Sequence, residues 1–94
     1  MDDNKRFHIT IQGRVQGVGF RIFVQKNARS LGLTGWVRNV GYDMVETVAE
    51  GNHEILNRFL EILRDGPPSS HVDELNHEEE KATAEFDRFN IRYF

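Results

Sequence analysis

The sequence predicts an α+β domain with the element order β-α-β-β-α-β: an antiparallel sheet carrying two helices on one face. Three observations predict it. Several short segments alternate apolar and polar residues, the period of a half-buried strand. Two stretches switch to helical spacing. Glycine, proline or asparagine stands wherever the period changes. This order is the ferredoxin-like split βαβ arrangement, and 94 residues leave room for one domain.

Phe7, Ile9 and Ile11 alternate with His8, Thr10 and Gln12, which reads as the first strand. Residues 1–6 ahead of it are expected to fray, leaving 7–94 as the single domain. After a glycine-rich loop, Phe20, Val24, Ala28 and Leu31 recur at helical spacing, and Gly32 is placed to stop that helix. Residues 35–39 read as a short strand, 40–43 as a turn and 44–50 as its hairpin partner. Asn52 is positioned as the N-cap of a second helix. Its apolar stripe is Ile55, Leu56, Phe59, Ile62 and Leu63, and Gly66-Pro67-Pro68 ends it. Residues 72–78 and the alternation Phe89, Ile91, Tyr93, with Phe86 leading in, supply the last strand, which this spacing allows to be split in two.

Composition excludes several classes. The absence of cysteine removes disulfide and thiolate chemistry and fits a reducing, cytoplasmic setting. The acidic first residues contain no apolar core of a secretory signal, and no apolar run reaches membrane-spanning length. A net charge of -3 argues against general nucleic-acid binding, so any anion site has to be a local basic pocket.

One stretch offers such a pocket: Gly13-Arg14-Val15-Gln16-Gly17-Val18-Gly19-Phe20-Arg21. Glycines let backbone N–H groups turn toward a ligand, and a loop feeding a helix N-terminus favours an oxyanion. An arginine at its end adds a planar fork that matches phosphate. The nucleotide motifs fail: no Lys-Ser/Thr pair follows the last glycine, and Ile22 stands where a dinucleotide fingerprint needs its third glycine. Residues 18–24 share some character with an RNA-recognition motif, but they open a helix instead of lying on a central strand. Local physics alone leaves two readings, a phosphate site or a tight turn with a solvated Arg21.

The remaining candidates are weaker. His8, His53, His71 and His77 have no metal-like spacing and read as surface residues. Glu78, Glu79 and Glu80 read as a solvated edge, Ser69-Ser70 as turn chemistry, and Phe59 and Trp36 as core. Arg14 and Arg38 either add positive potential near the loop or are solvated strand charges.

The loop string together with Gly35-Trp36-Val37-Arg38-Asn39 resembles the paired signatures of the acylphosphatases. Leu31-Gly32-Leu33, Val48-Ala49-Glu50-Gly51, Gly66-Pro67-Pro68 and Phe89-Asn90-Ile91-Arg92-Tyr93 look like the same family, so the likeness runs from Phe7 onward. The resemblance implies hydrolysis of the carboxylic–phosphoric anhydride of acyl phosphates, with no metal, no cofactor and no phosphoenzyme. It maps the phosphate-binding arginine onto Arg21 and the water-positioning asparagine onto Asn39. It assigns the phosphate cradle to the backbone N–H groups of Val15, Gln16, Gly17, Val18, Gly19 and Phe20. Read alone, Asn39 fits a strand end or turn better than a catalytic role. The expected protein is a cytoplasmic monomer acting on a small-molecule acyl phosphate, without nucleic-acid or membrane partners. Two rivals share the fold: a domain of a larger carbamoyl-transfer maturation protein, and a non-catalytic module binding RNA or a small anion.

The likeness departs at two places. Asp43 stands where many relatives have glycine, so the hairpin either holds aspartate at positive φ or turns on Gly41 instead. Phe94 extends past the Tyr93 where many relatives end, close to where that family keeps its arginine.

Overall fold

The computed structural model describes residues 3–94. Its elements are β1 (Asn4–Arg14), α1 (Phe20–Ser30), β2 (Thr34–Val40), β3 (Met44–Asn52), α2 (His53–Asp65), β4 (His71–Lys81) and β5 (Phe89–Arg92). They form a five-stranded sheet of order β4-β1-β3-β2-β5 with both helices on one face. The ladders are antiparallel except the last, because β5 runs parallel to β2. The last strand is therefore split: β4 borders β1 at one edge and β5 borders β2 at the other. Among the described residues, no helix is long and apolar enough to cross a membrane.

Side-chain alternation builds the core. Phe7, Ile9 and Ile11 stand opposite Ala49, Thr47 and Val45, and all six are buried beneath the helices. The Thr47 hydroxyl donates to the Trp36 carbonyl at 2.6 Å, so its burial leaves no polar group unpaired. α1 contributes Phe20, Val24 and Ala28; α2 contributes Leu56, Phe59, Leu60 and Leu63. Asn52 caps α2, its side chain accepting from the N–H of Glu54 at 2.9 Å. Gly32 and Gly66 follow the two helices at φ 74 and φ 67, where the sequence places the stops.

Two expectations are corrected. The fraying assigned to residues 1–6 does not hold for residues 4–6: Asn4 pairs with Asn52, and Lys5 and Arg6 pair with both β3 and β4. Residues 1 and 2 lie outside the described residues. Trp36 is not in the core. Gly35 and Val37 face the helices, so Trp36 falls on the opposite face, stacked by the guanidinium groups of Arg38 at 5.5 Å and Arg92 at 4.6 Å. His8, His53 and His71 do lie at the surface, where they sit against Glu46, Glu79 and Asp73.

A buried carboxylate ties the chain between β4 and β5 to the sheet. Glu50, with its side chain 6% exposed, accepts from Arg6 Nε at 2.7 Å and from the N–H groups of Thr83 and Ala84 at 3.0 Å. Ala84 has φ 58, the one positive φ of a non-glycine among the described residues, and this bond holds it there. Burial alone would raise the Glu50 pKa, but the Thr83 N–H, the Arg6 guanidinium and the Ala84 N–H outweigh it and hold the carboxyl below its usual range. A carboxyl depressed by folding contributes stability above its unfolded pKa and loses it as pH falls through the folded value. Urea unfolding should therefore show stability dropping below about pH 4, with a shallower drop in Glu50→Gln. Parallel pH profiles for the two proteins would contradict this role.

Candidate active site

Four chain segments converge at one end of the sheet. β1 ends there, α1 begins there, the β2–β3 turn lies there, and β5 ends there because it runs with β2. Gly17 and Gly19 take φ 72 and φ 76, a left-handed geometry that turns the backbone sharply into α1. A Cβ on either would meet no atom, so conformation and not space demands glycine here.

The start of α1 is left electropositive. Gly19 is its N-cap and supplies no side-chain acceptor, and no acidic residue lies in the first turn. Among the described residues, no protein acceptor takes a hydrogen bond from the N–H groups of residues 15–20. Unpaired N–H groups at a helix N-terminus attract an anion.

These groups border a pocket of about 240 Å³. Its walls are Val15, Gly17, Gly19 and Phe20 from the loop, Arg21 and Ile22 from α1, and Asn39 from β2. Arg21 and Asn39, 18 positions apart in sequence, thus share one pocket. Of the six residues expected to offer backbone N–H groups, Gln16 and Val18 do not line it; Val18 packs against the core instead.

Arg21 stacks over the ring of Tyr93, with its guanidinium carbon 5.0 Å from the centroid, and makes no ion pair among the described residues. The stack orients the fork without neutralising it. Asn39 reaches the pocket because alternation along β2 puts Val37 and Asn39 on the helix side. Its Oδ1 is buried and accepts no hydrogen bond. A buried acceptor left unpaired costs on the order of 1–3 kcal/mol, so its persistence points to a donor supplied from outside the chain.

Arg38 does not join the site. It lies on the helix-free face, donating to Glu46 Oε1 at 2.7 Å and to the Phe94 carbonyl at 3.2 Å. Burial would raise the Glu46 pKa, but the hydrogen bonds from His8 and Arg38 outweigh it and lower it. Arg14 is exposed at the end of β1. Arg21 is the charged side chain among the residues that line the pocket.

The sequence reading missed Gln16 as a side chain. Its Nε2 donates to the carbonyls of Met44 at 2.9 Å, Gly41 at 3.2 Å and Val40 at 3.3 Å, buckling the loop onto the hairpin that carries Asn39. Asp43 adds two more ties: its carbonyl accepts from the Gly13 N–H at 2.9 Å and its carboxylate from Gln12 Nε2 at 3.0 Å. The hairpin turns on Gly41 at φ 62, and Asp43 is not at positive φ. Gln16→Met should cost about 1–2 kcal/mol of stability. Gln16→Glu should cost more, because a carboxylate would face three carbonyl oxygens. Urea unfolding of both variants checks this, and equal stability in all three proteins would contradict the buckle.

Fold and pocket together define a ferredoxin-like α+β domain with a pocket at one end of its sheet, lined by a glycine loop, Arg21 and Asn39. A family model described as Acylphosphatase matches residues 7–91. The acylphosphatase of Syntrophotalea carbinolica is 47% identical over 88 residues, covering 94% of this chain and 96% of that protein. The crystal structure of acylphosphatase from Bacillus subtilis superposes with a TM-score of 0.91 at 40% identity, covering 95% of this chain and 99% of that one. HypF of T. kodakarensis superposes with a TM-score of 0.81 at 36% identity, over 94% of this chain but 12% of that one. The chain belongs to the acylphosphatase family.

Proposed function

We propose that this protein hydrolyses the carboxyl–phosphate anhydride bond of acyl phosphates by in-line attack of water on phosphorus. The observation that carries the reading is the buried, unpaired Asn39 Oδ1 on the wall of the pocket that Arg21 also lines. In this reading the loop N–H groups and the Arg21 fork bind the phosphoryl oxygens and spread their charge. Asn39 accepts a hydrogen bond from the attacking water and fixes its direction. The water oxygen bonds to phosphorus, the bond from phosphorus to the acyl oxygen breaks, and the carboxylate leaves with the electron pair. An amide is a weak base, so the water's proton passes to a phosphate oxygen. A carboxylate is a good leaving group, and the step needs no general acid.

The protein is read as a cytoplasmic monomer that needs no metal and acts on a small-molecule substrate without nucleic-acid or membrane partners. Release of inorganic phosphate from benzoyl phosphate and acetyl phosphate, with and without EDTA, tests this. Hydrolysis unaffected by EDTA is expected. Absence of hydrolysis of every acyl phosphate tried would overturn the reading.

A further inference from the structure

We propose that the acyl group of the substrate lies against Ile22 and Tyr93, so that the enzyme favours acyl phosphates with an apolar or aromatic acyl group. The inference rests on the phosphate reading of the pocket and names the substrate class of that same site. Ile22 lines the pocket beside Arg21 and is 58% exposed. It takes no part in the core, where Phe20, Val24 and Ala28 hold α1 and Phe23 packs alongside. A β-branched apolar residue in the first turn does little for helix stability, so neither packing nor propensity accounts for it. Tyr93 offers the second apolar surface, a ring stacked on Arg21 and 78% exposed.

The direction of the reaction sets which part of the substrate meets them. In-line displacement places the leaving acyl oxygen on the far side of phosphorus from the attacking water. Asn39 Oδ1, which would hold the water, is buried, whereas Ile22 is open to solvent. The acyl group therefore points outward, past Ile22 and Tyr93.

The test compares kcat and KM for benzoyl phosphate and acetyl phosphate in wild type, Ile22→Ser and Ile22→Leu. Ratios between variants cancel the different intrinsic reactivities of the two substrates. Ile22→Ser should raise KM for benzoyl phosphate by about three- to tenfold, with a smaller change for acetyl phosphate and little change in either kcat. Ile22→Leu should restore the wild-type preference. An equal change for both substrates, or no change for benzoyl phosphate, would overturn the inference and leave the hydrolytic reading standing. A wild type inactive on both substrates would instead overturn the reading of the site, and this inference with it.

Discussion

Arg21→Gln should lower kcat/KM for an acyl phosphate by at least about 10²–10³, the usual cost of removing a preorganised charge contact from a developing phosphoryl charge. Arg21→Lys should fall nearly as far. A lysine retains the charge but presents it as a point, losing the two parallel N–H donors that match phosphate oxygens. It also gives up the guanidinium's place over the Tyr93 ring, 5.0 Å from its centroid. The fold should survive both changes. Arg21 has no ion pair to lose among the described residues, and its aromatic contact at an exposed ring is worth about 0.5–1 kcal/mol. Steady-state kinetics beside circular dichroism checks the pair of expectations. Activity in Arg21→Lys within a fewfold of wild type would show that the site needs only a positive charge.

Asn39→Ala should lower kcat by about 100-fold through loss of the positioned water, while inhibition by inorganic phosphate stays near the wild-type level. Its stability should hold, which separates the two readings of this residue. A strand-end asparagine that serves the fold has a partner and costs stability when removed. Here Oδ1 takes no hydrogen bond from the described residues and belongs to a pocket-lining side chain, so truncation breaks no hydrogen bond within the fold. Kinetics and urea unfolding on the same preparation decide it. A large loss of stability in Asn39→Ala, with kcat intact, would return Asn39 to a structural role.

Local chemistry made much of this legible in advance. Asn52 as cap, Gly32 and Gly66 as stops, and the alternation of Phe7, Ile9 and Ile11 each depend on neighbours within a few residues. The loop and Arg21 were readable for the same reason, since strand, glycines and helix follow one another directly. What stayed hidden depends on distant partners. Trp36 looked like core because the parity of β2 was obscured by Gly35, which has no side chain to declare a face. The hold on residues 4–6 comes through β3, β4 and Glu50, whose bond to Arg6 spans 44 positions. The parallel pairing of β5 with β2 brings together segments that no short-range pattern links. The Gln16 buckle reaches 24 to 28 positions along the chain, so its amide read only as one more residue of the loop. The pocket is therefore half local and half tertiary: the loop could be read from sequence, but the ties that hold it against Asn39 could not.

The central claim is that water held by Asn39 attacks the phosphorus atom bound by the loop and Arg21. Hydrolysis of benzoyl phosphate in water enriched in oxygen-18 tests it most directly, with mass spectrometry of both products. The account predicts the label in inorganic phosphate and none in benzoate. Label in benzoate would mean attack at the acyl carbon, and would contradict it.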